Sequence, residues 1–197
     1  MKRMRRVGVL AFHGDVSEHI AALHVAAHTI GIQLHIVEVR SRYDLAGLDG
    51  LVLPGGESPI LMKLCEREHM VNDIKKVPAL FGTCAGAILL AKHIDRGAER
   101  QRTFGLMDIT IERNAYGRQV DSFETLLRTE LGTTRGVFIR APRITKHGTN
   151  VRVLARHNES VVACEETQNG RYVLALTFHP ELTGTKFHEH FLAELPQ

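Results

Sequence analysis

Short apolar runs, each stopped abruptly by a turn-forming segment, constrain this chain more than any other feature. Val7-Gly8-Val9-Leu10-Ala11-Phe12 ends in His13-Gly14-Asp15, and Gly50-Leu51-Val52-Leu53 ends in Pro54-Gly55-Gly56. Val77-Pro78-Ala79-Leu80-Phe81 runs into Gly82-Thr83-Cys84-Ala85-Gly86, and the stretch from Tyr172 to Phe178 runs into His179-Pro180-Glu181. Runs this short and continuous suit strands buried on both faces, as in a parallel sheet. Between them lie helical patterns. Ile20, Leu23, Ala27 and Ile30 recur at spacings of three and four from Val16 to Ile30, and Gly31 is placed to end that helix. Ser58 can cap a helix from Ile60 to Met70, and Ala87 to Ala91 reads as helix. With Leu34 to Val39 as a further strand, the alternation predicts an α/β fold, a doubly wound parallel sheet with helices on both faces.

The second half reads differently. Leu106 to Glu112, Gly136 to Arg140, Val151 to Ala155 and Ser160 to Cys164 are short strand-like runs between polar or glycine-containing turns. They predict added antiparallel strands ahead of a last helix from Gly184 to Leu195. No repeat or linker divides the 197 residues, so one domain is expected over 1–197. Apolar residues at 44% and charged residues at 24% exclude wholesale disorder. A formal charge of +3 is too small and dispersed for a nucleic-acid partner. Cys65, Cys84 and Cys164 are too few for a disulfide scaffold and suit a reducing compartment. No apolar run approaches the ~18 residues of a membrane span. The basic start resembles a signal-peptide n-region, but Val7 to Phe12 is shorter than the ~7–15 apolar residues that export requires. A cytoplasmic protein is expected.

The segment that speaks to chemistry is Phe81-Gly82-Thr83-Cys84-Ala85-Gly86. Gly-x-Cys-x-Gly between a strand and a helix is the cysteine form of a nucleophile elbow. Such a turn forces its central residue into strained dihedrals, so the flanking positions must be small. It presents the Cys84 sulfur at the sheet edge and a helix N-terminus, which favours thiolate. The Ala85 N–H then points to where an oxyanion would form. A small buried cysteine beside a glycine-rich turn is the plainer alternative, and it is the reading given to Cys65 and Cys164.

A thiol nucleophile needs a base, and the base needs an orienter. Of twelve histidines, context selects His179, which follows an apolar strand. Residues i and i+2 of an extended chain face one side, so Glu181 can hold the His179 ring. The alternative is a histidine that merely ends its strand in a polar loop. His19, His24 and His28 on the first helix, and His188 and His190 on the last, are given structural readings. No Cys/His cluster has zinc spacing, so no metal is expected. Arg100-Gln101-Arg102 reads as solvated surface.

Together these segments resemble the class I (triad) glutamine amidotransferases, and more closely the family of glutaminase subunits of pyridoxal 5′-phosphate synthase. The likeness rests on Val7-Gly8-Val9-Leu10 with Gly14-Asp15-Val16 and Glu18-His19, on Leu53-Pro54-Gly55-Gly56-Glu57-Ser58, and on the elbow. It continues through Glu112-Arg113-Asn114 and on through Gly117 to Glu124, together the most diagnostic stretch, then Gly136 to Pro142 and Phe178-His179-Pro180-Glu181-Leu182. The resemblance implies a flavodoxin-like fold and hydrolysis of L-glutamine to glutamate and ammonia through a glutamyl thioester. It assigns Cys84 as nucleophile, His179 as base and then acid, and Glu181 as orienter. Gly56, Glu57 and Ser58 would hold substrate, with Gly56 and Ala85 forming the oxyanion hole. Arg113, Ile139 and Arg140 would line the amino-acid site, the guanidinium groups suiting an α-carboxylate. It implies no cofactor. The partner would be a (β/α)₈-barrel synthase subunit that activates the glutaminase within a large ring complex.

Two positions depart from that family. His13 stands where glutamine is usual, and a ring nitrogen can keep the hydrogen bond while adding titration near neutrality. The expectation is pH-sensitive activation by the partner, which an unchanged pH profile for His13→Gln in the complex would refute. Pro59 replaces the usual threonine and suits the first turn of a helix. Little effect on chemistry is expected, and an altered KM for Pro59→Thr would show otherwise. Rival readings are a glutaminase serving another synthase, a stress-protein hydrolase or chaperone, and a silent scaffold subunit. The Gly117 to Glu124 stretch, the Ala85 that follows the nucleophile, and the intact Cys84, His179 and Glu181 argue against them in turn.

Overall fold

The computed structural model describes residues 3–95, 101–113, 115 and 122–196. The chain runs β1 (Arg5–Leu10), α1 (Val16–Thr29), β2 (Leu34–Val39), β3 (Gly50–Leu53), α2 (Ser58–Arg67), α3 (Val71–Ile74), β4 (Ala79–Thr83) and α4 (Ala85–Leu90). Then follow β5 (Ala91–Asp95), β6 (Met107–Glu112), β7 (Phe123–Thr129), β8 (Gly132–Phe138) and β9 (Arg143–His147). The last elements are β10 (Arg152–His157), β11 (Ser160–Gln168), β12 (Arg171–Leu176) and α5 (Lys186–Ala193). Among the described residues, no helix is long and apolar enough to cross a membrane.

Five strands, in the order β2-β1-β3-β4-β12, pair in parallel. β11, β10, β7 and β8 continue the sheet antiparallel, while β9 joins β11 to β6, which pairs with β5. The period-2 alternation of side chains divides the interior into two layers. Val7, Val9, Val52, Ala79, Phe81, Leu174 and Leu176 face α1 and α5, meeting Leu23, Ala27, Phe187 and Phe191. Leu51, Leu53, Leu80, Val173 and Ala175 face the other way, onto Leu61, Cys65, Ile74 and Leu89 of α2, α3 and α4. Because both faces are covered, these strands read as unbroken apolar runs.

The expected elements are present, with shifted ends. The first helix stops at Thr29, and Gly31 takes φ +67° just beyond it. The helix expected from Ile60 to Met70 is broken at His69, whose φ is 54°, so Val71–Ile74 forms its own turn. Ser58 is not that helix's cap: Glu57 holds the N-cap, and Ser58 is the first helical residue, followed by Pro59. Proline lacks an N–H, so it fits a first turn whose N–H groups have no intrahelical partner anyway. β5, β7 and β9 escape sequence reading. They are polar, half-exposed strands such as Lys92-His93 and Arg143 to His147, which carry no sustained apolar alternation.

Candidate active site

Cys84 and His179 each follow the carboxyl end of a parallel strand. β4 passes directly into α4 through Cys84, whose dihedrals are φ 49° and ψ −104°. A non-glycine residue there costs about 1–3 kcal/mol, which the packed surroundings must hold in place. The flanking positions show why only glycine serves. A Cβ on Gly86 would lie 1.9 Å from the Leu53 carbonyl oxygen, and one on Gly82 would lie 2.5 Å from the Gly86 backbone. Ala85 opens α4, so its N–H has no intrahelical acceptor and is available to a ligand. The turn after β3 brings Gly56 over the site at φ +127°, where a Cβ would come within 2.5 Å of the His13 ring.

His179 follows β12 and is buried, with its backbone N–H donating to the Val137 carbonyl. Its Nδ1 lies 2.7 Å from Glu181 Oε1 and 3.1 Å from Asp15 Oδ2. Burial by itself would lower the His179 pKa. Hydrogen bonds with Asp15, Cys84 and Glu181, and the nearby Cys84 charge, overcome it and push the value up to about 12. That environment favours the protonated ring. Asp15 is held below the usual carboxylate range, chiefly by its bond to His179. Glu181 is raised by burial, which His179 only partly offsets. The Cys84 sulfur sits 4.0 Å from the Ile139 carbonyl oxygen.

These residues border a cleft of about 270 Å³. Gly56, Glu57, Ser58, Cys84, Arg113, Ile139, Arg140 and His179 all line it. The structure thus gathers every residue assigned to substrate or triad around one cavity, with Glu181 behind His179 and Ala85 beneath Cys84. At its mouth Arg140, in a left-handed conformation at φ 44°, lies 3.6 Å from Glu57. That exposed pair is worth little as a stabilising bridge. It does place a cation and an anion side by side, matching the α-carboxylate and α-ammonium of an amino acid. Ser58 is buried and accepts a 2.9 Å hydrogen bond from Gln101. Gln101, assigned to solvated surface, instead buttresses the cleft floor. Asn114 and most of the Gly117 to Glu124 stretch lie outside the described residues.

Asp15 escaped sequence reasoning because an acidic residue beside a glycine reads as an ordinary turn. Its signal was present: it stands one residue after Gly14 at the end of a buried strand, the same station that His179 occupies. His13 lies against Gly56, and its Nε2 is buried without a hydrogen-bond partner among the described residues. Asp15, His179 and Glu181 also form the one described group whose donor atoms could converge on a metal ion. Their short mutual hydrogen bonds already use those atoms. Cys65 and Cys164 are buried thiols, as expected; burial pushes the Cys65 pKa up to about 12 and raises Cys164 as well.

A cysteine on a strained elbow, a histidine near it and a buried carboxylate behind are the parts that thiol-dependent acyl transfer would need. Comparison with known proteins narrows the class. The sequence model of the SNO glutamine amidotransferase family matches residues 9–197, and this chain belongs to that family. It is 47% identical over 194 residues to the pyridoxal 5′-phosphate synthase subunit PdxT of Oenococcus oeni, covering 95% of each chain. It is 44% identical over 198 residues to the subunit of the same name from Korarchaeum cryptofilum, covering 96% of this chain and 98% of that one. A crystal structure of a glutamine amidotransferase superposes with a TM-score of 0.81 at 42% identity, over 95% of this chain and 97% of the other.

Proposed function

We propose that this chain is the glutaminase of a pyridoxal 5′-phosphate synthase, hydrolysing L-glutamine to L-glutamate and delivering the ammonia to a synthase subunit. Family membership and two relatives named as synthase subunits support this reading. The observation that carries the chemistry is the His179–Glu181 contact of 2.7 Å beside an elbow cysteine in a cleft sized for an amino acid.

Glutamine enters with its α-carboxylate on Arg140 and Arg113, its α-ammonium toward Glu57, and its amide carbon against Cys84. Ile139, Gly56 and Ser58 shape the walls. The thiolate attacks the amide carbon, and the oxyanion is met by the N–H groups of Ala85 and Gly56. Protonated His179 gives its proton to the leaving nitrogen. Ammonia departs, leaving a glutamyl thioester and a neutral ring. That ring takes a proton from water, which attacks the thioester and releases glutamate. Glu181 keeps the imidazole in register through both proton transfers. The hydrolysis calls on no cofactor or metal.

The partner in this proposal is a (β/α)₈-barrel synthase subunit, assembled with this chain in a large ring, in the cytoplasm. The chain acts there as one amidotransferase domain, a view supported by its two apolar layers sharing a single sheet. The test is ammonia release from glutamine, with and without the barrel subunit, for wild type and Cys84→Ala. Wild type is expected to release ammonia with the barrel present and the variant to fall to background. Equal release without the barrel would remove partner gating from the proposal, and no release in either state would remove the activity.

A further inference from the structure

Behind the triad, on the side away from the cleft, three elements assemble a polar cluster inside the apolar interior. His19 of α1, Thr83 at the end of β4 and His188 of α5 are each fully buried. His188 Nε2 lies 3.0 Å from His19 Nδ1. His19 Nε2 lies 3.0 Å from Thr83 Oγ1 and 3.5 Å from Glu181 Oε2. Burial and repulsion between the rings disfavour a proton charge on either: His19 is held well below its ordinary value, first by burial and then by His188 and His179, and burial takes His188 down to about 3.

A neutral imidazole carries one N–H and one lone pair, so this row of rings has two proton orders. In the first, each Nε2 is protonated. His188 then donates to His19 Nδ1, and the His19 N–H points at Thr83 Oγ1 and Glu181 Oε2. His188 Nδ1, which has no partner among the described residues, is left as a lone pair. In the second order His188 Nδ1 becomes a buried N–H with no acceptor. Glu181 Oε2, which makes no hydrogen bond among the described residues and has only the 3.5 Å approach of His19 Nε2, would then face a lone pair. Orphaned donors and unanswered carboxylate oxygens are the costlier defects, so the first order holds.

We propose, on the glutaminase reading above, that His19 is a positioning residue for the reaction: its Nε2–H, locked by His188 and Thr83, anchors Glu181 Oε2 so that Oε1 stays on His179 Nδ1. Glu181 needs the anchor because it sits on a three-residue 3₁₀ turn, Pro180–Leu182, which fixes no rotamer by itself. Asp15 also competes for the same Nδ1 from 3.1 Å on the cleft side. With Glu181 released, Asp15 captures the ring and tilts it away from Cys84.

Three substitutions separate donor position from packing. His19→Gln puts an amide nitrogen near the place of Nε2, His19→Asn puts one nearer Nδ1, and His19→Phe fills the volume and donates nothing. Each is measured as full chain with the barrel subunit for kcat and KM, and alone for melting temperature and the pH dependence of Cys84 alkylation by iodoacetamide. His19→Phe and His19→Asn are expected to lose about 10- to 100-fold in kcat, the range that losing an outer hydrogen-bond partner costs a functional ligand. KM stays near wild type, alkylation slows, and His19→Gln recovers most of both rates. A ring that merely packs would leave His19→Phe closest to wild type and rank the variants by melting temperature. That ranking overturns the proposal, as does His19→Gln performing no better than His19→Phe. Alkylation needs no glutamine turnover. A wild type that released no ammonia would therefore sink the glutaminase reading while the alkylation order still decided the role of His19.

Discussion

The two halves of the sheet divide the work of the site. Cys84, His179, Gly56 and Asp15 all follow strands of the parallel half, whose side chains are buried on both faces. Arg113 follows β6, which alternates buried and half-exposed residues and pairs antiparallel with β9, and Ile139 and Arg140 follow β8, which pairs antiparallel with β7 and is open to solvent over its first half. Bond making requires groups held to a fraction of an ångström, and strands clamped by helices above and below supply that rigidity. Gripping a charged group at the mouth of a cleft tolerates exposure and some freedom. On the proposed reading the chemistry sits on the stiff half, while recognition is shared between Glu57 and Ser58 there and Arg113, Ile139 and Arg140 on the open half.

Breaking the stiff half should cost most. Gly86→Ala drives a Cβ into the Leu53 carbonyl and is expected to lower stability by about 3 kcal/mol or abolish soluble protein. Gly184→Ala, which meets nothing within 4 Å, should stay within about 0.5 kcal/mol in the same denaturant titration. Similar losses for the two would erase the contrast.

Acid should also reveal the stiff half first. His19 and His188 are held neutral in the fold, His188 with its pKa lowered from 6.5 to about 3. A depressed histidine makes the unfolded chain the stronger proton binder, so stability is full above pH 6.5 and falls as pH drops toward 3. Each such ring contributes a slope of up to about 1.4 kcal/mol per pH unit. Unfolding free energies across that window should show the slope, and His188→Phe should remove one proton's share of it.

The open half should answer in binding. Arg140→Ala is expected to raise KM for glutamine about tenfold or more, as loss of a hydrogen bond to a charged group does, with kcat little changed. A fall in kcat instead would move Arg140 into the chemistry. The finest contrast is Asp15→Asn. It removes a hydrogen bond that holds His179 protonated, so the imidazolium should lose its proton at lower pH. The alkaline limb of the Cys84 alkylation profile would shift downward, and an unmoved limb would show that Glu181 alone sets the ring's charge.

The parallel core was legible because double-sided burial writes continuous apolar runs into the chain, and the elbow was legible because its steric demands select glycine. His179 and Glu181 were legible for a related reason: they are two residues apart, so local geometry already joins them. β5, β7 and β9 were not, since a strand open to solvent is held by its neighbours and imposes little pattern of its own.

The sequence by itself determined the alternation of parallel strands and helices, the strained turn at Cys84 and the short-range His179–Glu181 pair, because each depends on local sterics and periodicity. Only the tertiary structure decided that Asp15 reaches His179, that Gln101 supports Ser58, and that His19 and His188 meet behind Glu181. Those contacts join residues far apart in the chain, and a buried donor finds its acceptor only when separate elements pack.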